Sequence, residues 1–164
     1  SKKRLNLKKY SVLIKKFLKK QKCQIIFEPG RSIIGNSGIL ISKVIYIKES
    51  SKKDFVILDV AMNDFMRPAL YNAIHKIIPV KKSIKKSKKN YEFVGPICES
   101  TDKFALFKNF QKLKEKDLVI ILDVGAYGMS LSSNYNLRPK ATELLIKNSK
   151  IKIISKRQKL KDLI

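Results

Sequence analysis

Ile39-Leu40-Ile41-Ser42-Lys43-Val44-Ile45-Tyr46-Ile47 is a β-branched run broken only by single polar residues, and the turn-rich stretch Ser32–Gly38 leads into it. Side chains of this kind fit a pleated, half-buried surface, so the run predicts a strand. Similar runs follow at turn-separated intervals: Phe55–Val60, Ile77–Val80, Glu92–Ile97, Leu118–Val124, Glu143–Ile146 and Ile151–Ile154. Short strands spaced in this way predict a mainly β chain, an antiparallel sandwich or Greek-key barrel. The lysine run at 81–89 reads as a solvated loop between two of them. Ala61–Ile74 has helical spacing, but it is short and Pro68 interrupts it.

Upstream of the first strand the character differs. Tyr10, Leu13, Ile14, Phe17 and Leu18 form a helical stripe backed by lysines. Cys23-Gln24-Ile25-Ile26-Phe27 then reads as a short buried strand, with Cys23 in its core, and Glu28-Pro29-Gly30-Arg31 ends it. A helix leading into a buried strand is the ending of an α/β unit.

Composition narrows the class. Hydrophobic residues make up 44% of the 164, enough for a globular core and too many for a disordered chain. Two cysteines make no disulfide framework, which points to a reducing compartment and a cytoplasmic location. No apolar run is long enough to span a bilayer, and Ser1–Leu7 lacks the apolar centre of a signal peptide, so no membrane partner is expected. The first residue is not methionine, which fits a piece of something longer.

The net charge of +24 raises the question of nucleic acid, because clustered cations gain affinity by releasing counterions from phosphates. The excess is almost all lysine, spread from end to end, with only five arginines. A nucleic-acid module would instead concentrate arginine and aromatic residues on one face or recognition helix. A solvated basic surface is the better reading, and no specific nucleic-acid partner is expected.

Four motifs stand out, each at a strand end or on a loop, where binding groups project from a scaffold. In Glu28-Pro29-Gly30-Arg31, glycine lets backbone N–H groups approach a phosphate and arginine can grip an oxyanion bidentately. In Asn63–Tyr71, Arg67 and Tyr71 are four apart and share a helical face. Gly95-Pro96-Ile97-Cys98-Glu99-Ser100-Thr101-Asp102 sets a thiol beside a carboxylate. Asp123-Val124-Gly125-Ala126-Tyr127-Gly128-Met129, followed by Ser132–Pro139, presents a tyrosine between small residues. Each motif alone fits an ordinary turn or a core residue. His75, the only histidine, reads as a structural hydrogen-bonding residue. One histidine and two distant cysteines make no metal site.

In this order the four motifs resemble the C-terminal part of the diaminopimelate decarboxylase family, pyridoxal-phosphate enzymes built from a (β/α)8 barrel and a β-domain. The resemblance runs from about Ile25 to Glu143. It implies residues 1–31 as the last helix and strand of the barrel and 32–164 as the β-rich C-terminal domain. It also implies a carboxy-lyase that converts meso-2,6-diaminopimelate to L-lysine and CO2. Glu28 would face the cofactor's pyridine nitrogen, and Pro29, Gly30 and Arg31 would form its phosphate turn. Arg31, Arg67, Tyr71, Glu99 and Tyr127 would bind substrate, with Tyr127 touching the cofactor too. Cys98 would be the proton donor, acting across a homodimer interface.

The cofactor-bearing lysine, a ring-stacking histidine and a glycine-rich phosphate loop belong to barrel segments with no match here, so the chain alone is expected to be inactive. Independent chemistry agrees on the substrate: holding the unreacting end of diaminopimelate takes a cation for its carboxylate and an anion for its ammonium. Arg31 or Arg67 supplies the first and Glu99 the second. The alternatives are a noncatalytic homologue and a decarboxylase for another basic amino acid of the ornithine or arginine type, since those relatives share the first motif.

Overall fold

The computed structural model describes residues 5–164. Helix α1 spans Leu7–Lys20; the Asn6 side chain caps it by accepting from the Lys9 N–H at 3.0 Å, and Lys19 and Lys20 suit the negative end of its dipole. The expected strand after it does not form. Residues 21–29 run without a ladder partner, and Cys23, expected in a core, is exposed together with Ile26 and Phe27. The reason is physical: a barrel strand is buried by neighbours on both sides, and among the described residues none flank this one. The apolar stripe of α1 is likewise open, apart from an edge-on contact of Tyr10 with Phe27 at 5.9 Å.

The remainder is mainly sheet, as expected. Strands β1 (Ile39–Lys48), β2 (Lys53–Leu58), β3 (Ile77–Pro79), β4 (Asn90–Val94), β5 (Lys103–Phe107) and β6 (Leu118–Leu122) form one sheet, in the order β3-β6-β1-β2-β4-β5. The sheet curls as a half-barrel. Strands β7 (Glu143–Lys147) and β8 (Lys150–Ser155) form a separate hairpin. Neighbours in the large sheet are antiparallel except β2 and β4, which run parallel. A parallel pair needs a long crossover, and residues 59–89 supply it. Two short helices complete the fold: α2 is Arg31–Ile34, before β1, and α3 is Arg67–Tyr71, within the crossover, with Pro68 tolerated in its first turn.

Alternation explains which faces are buried. Tyr91 and Phe93 of β4, Val119 and Ile121 of β6, Val44 of β1, and Val56 and Leu58 of β2 all point to one core. Phe93 anchors it, with its ring centroid 5.0 Å from that of Phe110 and 5.7 Å from that of Phe107. Burying rings of this size contributes roughly 2–3 kcal/mol each relative to exposure.

Candidate active site

Register decides where the motifs emerge. The start of β1 faces the end of β6, because Ile39 pairs with Leu122. The start of β3 lies there too, because Ile77 pairs with Ile121. Strand β2 is antiparallel to β1 and parallel to β4, so the ends of β2, β4 and β6 share that side, as does the start of β5. All four motifs therefore open at one end of a single sheet.

One group gathers at the β3–β6–β1 side. The Gly30–Gly38 turn is drawn onto the loop after β6: Val124 N–H donates to the Gly38 carbonyl at 3.1 Å and Gly125 N–H to the Gly35 carbonyl at 2.9 Å. Gly125 permits this approach, since a Cβ there would overlap the Ile34 carbonyl oxygen and lie 2.9 Å from the Gly38 nitrogen. Gly30 has φ of 24°, and a Cβ added to it would lie 3.8 Å from the Tyr127 hydroxyl oxygen. The Tyr127 hydroxyl thus lies close to the Gly30 backbone. Tyr127 itself holds φ of 57°, a left-handed conformation that costs an aromatic residue about 1–2 kcal/mol and that clusters at functional sites.

Arg67 and His75 join the same group. His75 is buried; its Nδ1 lies 2.8 Å from the Leu122 carbonyl oxygen, its Nε2 lies 2.8 Å from Arg67 Nη1, and its ring meets Phe65 edge-on at 4.6 Å. Burial holds the imidazole pKa below its ordinary 6.5; the Arg67 and Arg31 charges push the same way, against the Leu122 hydrogen bond and the Asp123 charge. Both arginines thus sit within electrostatic reach of His75. Arg67 forms no ion pair among the described residues, and its buried Nε has no hydrogen-bond partner.

The second group lies between β4 and β5. Asp102 is buried and closes this loop: its Oδ2 accepts from the Ile97 N–H at 2.9 Å and its Oδ1 from the Met62 N–H at 2.7 Å. Its backbone carbonyl accepts from the Gly95 N–H at 2.9 Å. Burial pushes the Asp102 carboxyl pKa up, and the two N–H donors oppose that rise. The loop carries Cys98, exposed at the rim of a depression of about 430 Å³ that Ile45, Tyr46, Phe55 and Ile57 help to line. Glu99 is exposed, and its Oε2 accepts from the Tyr135 hydroxyl at 3.2 Å; this bond and the carboxylate charge raise the tyrosine pKa.

Tyr135 is brought there by an anchor further along. Arg138 Nη2 donates to the Asp59 carbonyl at 2.7 Å, its Nε donates to Asn63 Oδ1 at 3.2 Å, and the guanidinium pairs with Asp64 at 3.6 Å.

Of the residues expected from sequence, Gly30, Arg31, Arg67 and Tyr127 thus belong to one group, and Cys98 and Glu99 to the other. No hydrogen bond or ion pair joins the two groups among the described residues. Glu28 and Tyr71 are exposed, without side-chain hydrogen bonds among the described residues. Asp102, Tyr135 and Arg138 were not anticipated as site residues; the only local signal was that each lies within or beside a quoted motif. Among the described residues no cluster of three or more potential metal ligands exists, and no helix is long and apolar enough to cross a membrane.

The family model for the C-terminal sheet domain of pyridoxal-dependent decarboxylases matches residues 10–125. The chain belongs to this family. The sheet is therefore a pyridoxal-dependent decarboxylase C-terminal sheet domain. Over 146 residues the chain is 46% identical to the diaminopimelate decarboxylase of Aquifex aeolicus, a match that covers 89% of this chain and 34% of that protein. With the enzyme of that name from Zymomonas mobilis it shares 46% identity, covering 94% of the chain and 36% of the relative. The crystal structure of diaminopimelate decarboxylase from Helicobacter pylori complexed with L-lysine superposes with a TM-score of 0.83 at 43% identity, covering 97% of this chain and 39% of that one. The chain spans about a third of the length of the curated relatives it matches.

Proposed function

We propose that this chain is the sheet domain of a cytoplasmic pyridoxal-phosphate-dependent diaminopimelate decarboxylase, which converts meso-2,6-diaminopimelate to L-lysine and CO2. The observation that carries the reading is the 46% identity to proteins of that name over nearly the whole chain. The active protein joins residues 32–164 to a cofactor-binding barrel of which 1–31 is the end. The exposed apolar stripe of α1 and the exposed Ile26 and Phe27 support this, since they are surfaces that a neighbouring layer would cover.

The residues present fit the cofactor. The side-chain-free Gly30 backbone lies near the Tyr127 hydroxyl, Arg31 brings a cation to the same turn, and Glu28 offers an unengaged carboxylate. Glu28 would face the pyridine nitrogen, Pro29, Gly30 and Arg31 the phosphate, and Tyr127 both cofactor and substrate. When bound, pyridoxal phosphate supplies an electron sink for the charge that develops as CO2 leaves.

The chain's own groups do the rest. Arg67, with no carboxylate partner of its own, takes the carboxylate at the unreacting end of the substrate, assisted by Arg31 and Tyr71. Glu99 holds the ammonium group at that end. Cys98 Sγ delivers the proton to the carbon that has lost CO2.

Sheet order supports a homodimer with shared sites. Cys98 follows β4 and Tyr127 follows β6, with β1 and β2 between. Three strand spacings amount to about 14 Å along the sheet. A proton donor must come within roughly 3 Å of its target, and this separation supports the reading that Cys98 and Glu99 serve the site of a second copy.

The test is turnover by the full-length protein. CO2 release from meso-diaminopimelate with L-lysine as product is expected; activity on ornithine or arginine in its place would overturn the substrate assignment.

A further inference from the structure

The His75–Arg67 contact has a polarity that fixes more than packing. A guanidinium only donates, so His75 Nε2, 2.8 Å from Arg67 Nη1, accepts. The Leu122 carbonyl only accepts, so Nδ1 carries the proton. His75 is therefore a neutral imidazole in one tautomer, gripped at both nitrogens and wedged edge-on against Phe65. A carboxylate at this position would also orient Arg67, but it would neutralise the guanidinium's charge. A neutral acceptor orients and leaves the charge whole.

We infer that His75 is a positioning residue for substrate binding: the Leu122 carbonyl sets its tautomer, and its Nε2 holds Arg67 ready for a ligand carboxylate without discharging it. This rests on the reading of Arg67 as the anchor for the unreacting carboxylate. The remaining donors of Arg67 support it. Nη1 is committed to His75, Nε is buried without a partner, and no Asp or Glu pairs with the group among the described residues. Such a cation lacks only an anion, and Nη2, which neither His75 nor burial takes up, is the donor left to meet a ligand carboxylate. The lowered pKa of His75 keeps the acceptor form populated at neutral pH.

The experiment uses the cofactor-loaded full-length enzyme and two ligands, with binding measured by calorimetry. L-lysine retains the unreacting carboxylate; cadaverine, the corresponding diamine, has none. His75→Gln carries a neutral acceptor to the Nε2 position, whereas the shorter His75→Asn cannot reach Arg67, and both keep the buried site polar. His75→Asn is expected to weaken L-lysine by about tenfold or more, as loss of one charge-assisted contact does, while changing cadaverine by less than about twofold. His75→Gln should recover most of the L-lysine affinity. In an Arg67→Ala background the two His75 variants should become indistinguishable.

Equal loss for both ligands would make His75 merely structural and overturn the inference, as would unchanged L-lysine affinity in His75→Asn when Arg67→Ala weakens it. Unchanged L-lysine affinity in Arg67→Ala would instead remove Arg67 as the anchor, and the inference with it.

Discussion

Replacing Asp102 with alanine tests whether the loop bearing Cys98 and Glu99 is held as described. Asp102 is 2% exposed, and its two oxygens accept from the Met62 and Ile97 N–H groups at 2.7 and 2.9 Å. Alanine leaves both donors without an acceptor inside the fold, at about 1–3 kcal/mol each, or roughly 4 together. Removing a carboxylate that burial disfavours offsets part of this, so a net loss of about 3 kcal/mol is expected. In a cooperative unit of roughly 150–250 residues that lowers Tm by about 6–12 °C, and by less where a longer chain melts as one.

Calorimetry on the full-length protein measures the shift, and amide exchange localises it: Met62 and Ile97 should lose protection together, although they are far apart in the chain. Turnover assayed well below Tm should also fall, because the loop that aims Cys98 is no longer tied to the turn after β2. If Asp102→Ala melts within about 1 kcal/mol of the wild type and both amides keep their protection, the carboxylate does not bridge these segments and the reasoning fails.

Gly125→Ala should force the Gly30–Gly38 turn away from the loop after β6, because its Cβ meets the Ile34 carbonyl and the Gly38 nitrogen. A loss of about 2–4 kcal/mol in chemical denaturation, with weaker pyridoxal-phosphate binding, is expected from overpacking and the disturbed hydrogen bonds. His75 gives stability a pH slope of defined sign. Its folded pKa lies below the ordinary 6.5, so the unfolded chain binds more protons in that window and stability falls as pH drops from about 6.5 toward the folded value. Desolvation is the leading cause, and Arg67, Arg31 and Asp123 are the charges acting on the ring. The slope should vanish in His75→Gln, which paired melts at two pH values would reveal. Cys98→Ala should reduce turnover by about 10²–10⁴-fold, the range for removal of a general acid, while the spectrum of bound pyridoxal phosphate is preserved; surviving turnover would rule out its role as proton donor.

Strands β1, β2, β4 and β6 were legible because each alternates buried and exposed residues or forms a compact β-branched run between turns. Strand β5 was not, since Lys103-Phe104-Ala105-Leu106-Phe107 buries only Phe104 and shows no clean alternation. The parallel pairing of β2 with β4 was also hidden, because a crossover of this length admits either direction and only the assembled sheet decides. Cys23 shows the converse: local apolarity announces a strand but says nothing of what will cover it. The motif residues could be singled out because their chemistry is carried by residue type. Their supports were not, because Met62 and Asp102, His75 and Leu122, and Asn63 and Arg138 are partners only in three dimensions.

The two groups at one end of the sheet carry different binding residues, arginines in one and Glu99 with Cys98 in the other, and this bears on how a shared site would work. At the β6–β1 side Arg31, and Arg67 held by a neutral histidine, supply two cations, with the carboxylates of Asp123 and Glu28 beside them. At the β4–β5 loop the binding residues are an acid and a thiol, with Glu99 already accepting a hydrogen bond from Tyr135. A zwitterionic amino-acid end needs both kinds of group, and one sheet offers them about three strands apart. Two copies facing each other head to tail would bring the arginine side of one to the Glu99 loop of the other. Complementarity across that interface would then come from the same groups that bind the substrate. Glu99→Gln should therefore weaken substrate binding and, by removing one charge from each loop, make dimerisation less dependent on salt. Sedimentation at two ionic strengths separates the outcomes: a dimer equally salt-sensitive with glutamine would mean that Glu99 contributes nothing to the pairing of the copies.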